Sequence, residues 1–562
     1  MKIPFKLLIV TILISAWSLN LASQGTYTDY KSMIQKTGAL SKDYQTVCSL
    51  KSIGKTQGGK DILVLSIGTG DKDNKPGIAV LGGIEGSHIL GQELALGFAA
   101  ELLKESSTPE IKSLLDKLTF YVFPNVSPDA TEQFFSELKY ERIINTRQTD
   151  DDRDFQMDED PYEDLNNDGL ITMIRVSDPA GTFTESGEDK RIMVPADLSK
   201  GQTGSYFIYS EGTDNDKDGS FNEDGPGGVA FNRNLSYNYE EFGLNAGLHA
   251  VSEPETKALF DFLFDHFNIY MTIAFGPQDN LGQPMKAAER AVTPQGQQQN
   301  QAPPQFQERD DMRGFGMPRK LTAITKADET INKLVSDKYH EITGAKGAPV
   351  TKAAPGNFME WAYFHYGRYS FSTPAWWFPV ERDKNADAAF LKFAEKNKME
   401  NVFVPWTEIK HPDFHGKKTE VGGIRPFATI DPPADTIPDL ITVNYKFITA
   451  VAAMHPELEF LDVKVENQGE DIYRLTLKVH NKGLFATCAE AGANNMFTRL
   501  MRLTLETAKE QKFLSGQKVM RIPRLEGDKS VEFSWLIMGK GPLKATAGAV
   551  NTGFISTTVE LK

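Results

Sequence analysis

Across the first three quarters of the chain, apolar residues gather in short continuous runs separated by polar, glycine-punctuated stretches. Ile62-Leu63-Val64-Leu65, Ile78-Ala79-Val80-Leu81, Leu118 to Phe123 and Ile269 to Ala274 have the length and composition of buried strands. Ile89 to Leu103 and Glu255 to Asp265 carry apolar residues at helical spacing with few breakers. Alternation of this kind predicts an α/β fold, a mixed sheet with covering helices. From about Glu457 the pattern changes to period two, as in Tyr473 to Val479, Ser530 to Trp535 and Ser556 to Leu561. That predicts a small all-β sandwich. The expected organisation is an α/β domain over 24–455 and a β-sandwich over 456–562. Two stretches interrupt the first domain. One is acidic (150–224), and the other (293–319) is rich in Gln, Pro and Met with no apolar period, which predicts a disordered loop.

Residues 1–23 have the form of an export signal. Lys2 and Lys6 precede the apolar run Leu7 to Trp17, and Ala22 and Ser23 offer small residues for cleavage. This predicts a secreted or periplasmic protein with no transmembrane segment after signal removal. The 562 residues are 40% hydrophobic and 24% charged, which excludes a mostly disordered chain and a polytopic membrane protein. A formal charge of −15 repels phosphate backbones, so nucleic acid is not an expected partner. Two cysteines exclude a disulfide scaffold. Whether Cys48 and Cys488 pair or stay as separate thiols is open at this level.

The acidic stretch holds a repeated pattern. Asp150, Asp152, Asp154, Asp158, Glu159 and Asp160 are echoed by Asp214, Asp216, Asp218, Asn222, Glu223 and Asp224. Between them Asp164, Asn166 and Asp168-Gly169 form a D-x-N-x-D-G loop. Oxygen ligands at alternating positions with a glycine for the sharp turn suit calcium, and a cation offsets the mutual repulsion of the carboxylates. The loops lack a glutamate at the twelfth position, so the calcium expected here is structural.

Five further segments occur in a fixed order: Leu81-Gly82-Gly83-Ile84-Glu85-Gly86-Ser87-His88, Pro124-Asn125-Val126-Ser127-Pro128-Asp129-Ala130, Phe231-Asn232-Arg233-Asn234, Ser252-Glu253-Pro254-Glu255-Thr256 and Tyr369-Ser370-Phe371. Together they resemble the zinc carboxypeptidases, the carboxypeptidase A-like metallopeptidases, over about Tyr27 to Ala450. The acidic stretch is similar to one found in bacterial branches of that family. The resemblance implies a zinc held by two histidines and a glutamate, with an open position for water. It also implies a separate glutamate as base and an Asn-Arg pair that clamps the substrate's C-terminal carboxylate.

Carried over residue by residue, the first two zinc positions fall on Glu85 and His88, with their types exchanged. The third falls on Phe275, which cannot bind zinc. The base position falls on Pro374, and Glu381 is the nearest alternative carboxylate. The clamp positions hold Asn232 and Arg233, and Arg142 or Arg147 stands where an oxyanion-stabilising arginine is expected. His249 and His365 are candidate replacement ligands. Trp361, Trp376 and Trp377 are core residues or a stacking platform.

These substitutions favour a non-catalytic family member that binds a peptide or other carboxylate-bearing ligand through Asn232, Arg233 and Arg147. The alternatives are an active metallocarboxypeptidase with a rearranged zinc site and a calcium-stiffened surface assembly protein.

Overall fold

The computed structural model of the chain describes residues 26–150, 155–158, 160–215, 217, 219, 221–222, 225–288, 321–349 and 353–562. The expected export signal at 1–23, the expected loop at 293–319 and the candidate calcium ligands Asp152, Asp154, Asp216, Asp218 and Asp224 lie outside the described residues, as do Glu159 and Glu223.

The apolar runs form one six-stranded mixed sheet. Its spatial order is Cys48–Lys55, Asp61–Ile67, Thr119–Phe123, Gly77–Leu81, Ile269–Phe275 and Tyr369–Thr373. The first three strands pair antiparallel, and the remaining neighbours pair parallel. The four strands from Thr119–Phe123 to Tyr369–Thr373 are buried on both faces, as their unbroken apolar character requires. The helix Ile89–Lys104 covers the sheet. The helix Ile437–Ala452 packs over it so closely that a Cβ at Gly97 would stand 2.5 Å from Ile441 Cδ1. From Gly77–Leu81 the chain moves to Thr119–Phe123 on one side, and later to Ile269–Phe275 on the other. The strand order therefore reverses at Gly77–Leu81, and the crevice at its carboxyl end is where such sheets bind ligands.

The acidic stretch contributes structure that its composition hid. Met173–Ser177, Phe183–Glu185, Met193–Pro195 and Tyr206–Ser210 join Phe403–Ile409 and Thr419–Ile424 in a second, antiparallel sheet. Met173–Ser177 alternates exposed and buried residues, with Ile174 and Val176 pointing into a small core with Val421.

The C-terminal domain is all-β. Two four-stranded sheets, 458–538 and 502–561 in their outer bounds, enclose a common core that includes Leu475, Leu503, Trp535 and Ala545. A connecting segment leaves this sandwich and covers the Tyr369–Thr373 edge of the main sheet. Phe485, Ala489 and Ala491 enter the main core, and Tyr369 donates its hydroxyl to the Cys488 carbonyl at 3.1 Å. The backbone groups of that edge are met by Asn280, which donates to the Ser370 carbonyl and accepts from Ser372 N, each at 2.8 Å. Cys48 and Cys488 are both free thiols. Cys48 belongs to one edge strand and Cys488 lies against the opposite edge, which puts the width of the sheet between them.

Candidate functional site

The five motif segments converge at the carboxyl end of the parallel strands. Gly82 and Gly83 let the chain turn there. Gly83 has φ +64, and a Cβ on it would lie 2.1 Å from Asn125 Oδ1, so only glycine passes. Asn125 is fixed in turn, donating to Gln92 and Thr131 at 2.8 Å and accepting from Ser127 N at 2.9 Å. Asp129 is a structural carboxylate that accepts from Thr56 Oγ1 and Gly58 N and pairs with Lys60.

His88 sits at the start of the Ile89–Lys104 helix and is 1% exposed. Its Nε2–H donates to the Pro374 carbonyl at 3.1 Å, and Nδ1 has no hydrogen-bonding partner. Burial pulls its pKa down to about 4, against the opposing pull of the Pro374 and Phe275 carbonyls, so the ring is neutral. Glu85 turns away to the other side of the loop. Its Oε2 accepts from Asn232 Nδ2 at 3.0 Å, and burial raises its pKa despite that bond and the nearby Arg233 charge.

Asn232 is fully committed. It also donates to Gln278 Oε1 at 2.8 Å and accepts from Phe358 N at 2.9 Å. Arg233 is not. Nη1 donates to the Leu244 carbonyl at 3.1 Å, and among the described residues no carboxylate stands within ion-pair distance of it. Asn234, next in line, ties the 246–253 loop together by donating to the Ala246 and His249 carbonyls and accepting from Glu253 N.

The remaining candidates lie elsewhere. Arg147 forms an ion pair with the fully buried Glu253 at 2.8 Å, and Arg142 donates to the Ile144 and Asn145 carbonyls. Asn145 donates to both Glu253 and Glu255, and burial pushes the Glu255 carboxyl up to about 7. Glu381 is exposed and lines an 820 Å³ groove with Asp189 and Lys384. His249 is exposed and bonded to the Ala250 carbonyl, and His365 faces Ser236 and Tyr237. Trp361 is core, stacked on Phe260 and Tyr366. Trp377 donates to the Lys346 carbonyl, and Trp376 lines a 660 Å³ cavity with Tyr27 and Phe427.

Of the acidic residues, Asp160 is buried and accepts from Asn222 N at 2.6 Å, which joins the two repeats. Asp164 accepts from Asp168 N and Gly169 N, and Asn166 and Asp168 complete that turn. Asp158 accepts from Gly227 N. Sequence reading passed over Glu211, which is fully buried and accepts from Leu165 N, Thr172 N and Thr172 Oγ1, closing the base of this loop. Only its separation of about forty residues from its partners hid it.

The donor set at the strand ends does not fit zinc. One neutral histidine is tied to a carbonyl, one carboxylate is tied to an asparagine, and Phe275 and Pro374 offer no ligand atom. Among the described residues no three His, Cys, Asp or Glu side chains are grouped so as to hold a metal ion.

The chain is similar to several known carboxypeptidases. Over 112 residues the chain is 27% identical to carboxypeptidase B of Astacus astacus, covering 20% of this chain and 36% of that protein. Over 98 residues it is 29% identical to carboxypeptidase M of Mus musculus, covering 17% and 22%. The chain thus spans little more than a third, at most, of the curated relatives it matches. Among solved structures, carboxypeptidase A from Helicoverpa armigera aligns with TM-score 0.41 and 12% identity, over 76% of this chain and 73% of that one. Residues 457–560 match a domain of unknown function (DUF8731). The sequence profile described as zinc carboxypeptidase matches residues 33–376, more than half of the chain, and the protein belongs to that family.

Proposed function

We propose that the protein is an exported, non-catalytic zinc carboxypeptidase family member that binds the C-terminal carboxylate of a peptide at Arg233, beside Asn232. One observation carries the non-catalytic reading: His88 spends its only N–H on the carbonyl of Pro374, the residue at the base position. A metal there would need that bond broken and a third ligand supplied where Phe275 stands. The carboxylate reading is supported by the guanidinium of Arg233, which among the described residues has no carboxylate within ion-pair distance and whose planar fork matches one. Arg147, the third predicted contact, is held by Glu253 and acts on the ligand only if that ion pair opens.

Calcium in the acidic stretch is part of the same proposal. Asp150 Oδ1, Asp214 Oδ1 and Asn222 Oδ1 are buried oxygens that receive no hydrogen bond, and a hard cation supplies what such atoms lack. Its role is to order the loops between the strands of the second sheet.

Elemental analysis of the purified protein, with titration of an acetylated tetrapeptide acid and its amide, tests the reading. The expected result is calcium without stoichiometric zinc, no peptide cleavage, binding of the acid over the amide, and at least tenfold weaker binding by Arg233→Ala. Zinc near one per chain with release of C-terminal residues would overturn it. A melting temperature unchanged by EDTA would remove the calcium part alone.

A further inference from the structure

The 660 Å³ cavity that Trp376 lines takes its walls from outside the five motif segments, and neither Glu85, Asn232 nor Arg233 reaches it. Tyr27, Phe134, Trp376, Phe393 and Phe427 supply aromatic rings, and Asp431 is the one buried polar residue among its walls. The rings are held by one another. Phe134 meets Tyr27 and Phe427 edge to face, each at 5.0 Å between centroids, and Trp376 meets Phe393 at 6.3 Å. Tyr27 is pinned further by its hydroxyl, which donates to the Pro432 carbonyl at 2.7 Å. Three lining residues, Lys398, Asn401 and Phe427, hold positive φ of 55, 56 and 67. Backbone of that kind is strained in a bulky residue, and such strain gathers where ligands are clamped.

The charge around the cavity is of one sign. Asp431, Asp435 and Glu400 line it, against a single cationic residue, Lys398, at the exposed rim. Two more carboxylates stand behind Asp431. Glu141 accepts from Phe427 N at 2.9 Å, and Glu93 accepts from Thr28 N at 2.6 Å. Burial pushes the Asp431 carboxyl up to about 8, and Glu141 and Glu93 add to the rise. The nearby lysines point to other oxygens, Lys139 to the Phe134 carbonyl and Lys36 to Thr28 Oγ1. A carboxyl so placed takes up either a proton or a cation. The aromatic walls decide which cation suits the space. Ring faces attract an ammonium group and cover its apolar substituents, whereas a strongly hydrated metal ion finds few oxygen ligands there.

We propose that this cavity binds a small organic cation, an ammonium group carrying apolar substituents, with its charge toward Asp431 and its substituents against Tyr27, Trp376, Phe393 and Phe427. The site is separate from Arg233 and does not rest on the carboxylate reading. Its volume lies within the range of small-molecule pockets, and its composition, apolar walls around one buried polar group, is theirs as well. The bound cation takes the place of the Asp431 proton, so binding and ionisation of that carboxyl are linked. The groups that face Asp431 in this balance are Glu93, Glu141 and Tyr27, with Asp435 and Glu400 at the cavity wall.

Calorimetric titration of the full chain with choline and with its neutral carbon counterpart, 3,3-dimethylbutan-1-ol, tests this at pH 8 and pH 6. Choline is expected to bind about fivefold more tightly than the alcohol, or better, at pH 8. Its affinity is expected to fall severalfold at pH 6, where Asp431 keeps its proton, while that of the alcohol stays the same. Trp376→Leu keeps an apolar wall without the ring face and is expected to weaken choline severalfold. Lys398→Gln, at an exposed position, removes the opposing charge and is expected to tighten choline about twofold. It serves as the second variant if Trp376→Leu unfolds. Equal binding of choline and the alcohol, no binding of choline, or choline binding untouched by pH and by both substitutions overturns the proposal.

Discussion

Replacing Arg524 with methionine tests whether the β-sandwich acts by bracing the main domain. Arg524 belongs to the sandwich domain, and its Nη2 pairs with Asp328 Oδ1 at 3.0 Å. The Asp328 side chain is 0% exposed and that of Arg524 13%. Asp328, in the helix Lys326–Thr343, also accepts from Tyr363 Oη at 2.8 Å and Glu490 N at 2.8 Å. Methionine keeps the aliphatic volume but leaves a buried carboxylate with neutral donors only. Breaking a buried pair by removing one partner costs about 3–5 kcal/mol. The surviving bonds, which include one from Ala491 N at 3.4 Å, offset part of this, so a loss of about 2–4 kcal/mol is expected. The Arg524 Nε bond to the Cys488 carbonyl, at 2.7 Å, goes as well and loosens the segment that covers the edge strand. The sandwich has its own core, so the expected event is undocking of the connecting segment ahead of sandwich unfolding. Urea unfolding with limited proteolysis reads both. Arg524→Met should expose new cleavage sites within 482–498. Adding Asp328→Asn should recover part of the loss, because the orphaned charge is then gone. A loss below about 1 kcal/mol with unchanged protease resistance would refute the reasoning and leave the sandwich as a tethered neighbour.

Other outcomes follow from single groups. Burial pushes the Asp431 carboxyl up to about 8, with Glu141 and Glu93 adding to the rise, although it caps the helix Ile89–Lys104 through Ile89 N and Leu90 N. A carboxyl raised in the folded state contributes most below its unfolded pKa of about 3.9 and loses that contribution as pH climbs toward 8. Wild-type stability relative to Asp431→Asn should therefore fall by up to about 1.4 kcal/mol per pH unit between pH 5 and 7, and a flat difference in urea titrations would contradict this. Glu85→Gln removes a buried carboxylate from beside Arg233, so a peptide acid should bind more tightly. Weaker binding would mean that the Glu85 charge is needed to hold Asn232. Burial pushes both Cys48 and Cys488 up to about 11, so their thiols should react with Ellman's reagent at pH 8 at least about a hundredfold more slowly than glutathione. Rapid titration of either in native protein would show that its surroundings open.

The main sheet was legible because its strands are continuous apolar runs bounded by turn residues, and the helices because their periodicity is unbroken. The predicted helix Ile89 to Leu103 forms over Ile89–Lys104, and the strand Ile269 to Ala274 over Ile269–Phe275. The sandwich strands were legible from alternation, as in Ile472–Asn481. The second sheet was not, because its strands in the acidic stretch are three to five residues long and one of them, Met173–Ser177, pairs with Thr419–Ile424, more than two hundred residues away. At the site, residue types were readable and partners were not. Nothing local indicates that Glu85 bonds Asn232 across 147 residues, or that His88 bonds Pro374 across 286.

Those two bonds explain how a family site loses its ligands without leaving a hole. A buried imidazole must place its N–H, and a buried carboxylate must be met by donors. At Pro374 the main-chain carbonyl stands at the end of the edge strand and takes the His88 proton. On the far side of the loop, Asn232 and the charge of Arg233 meet Glu85. The exchange of types at 85 and 88 is consistent with this division. The residue nearer Asn232 is the acid, and the residue nearer the strand ends is the neutral donor. Each of the two side chains is thereby met by a neighbour. The cost falls on Asn232, whose amide is spent inside the protein, and not on Arg233, whose guanidinium donates to the Leu244 carbonyl.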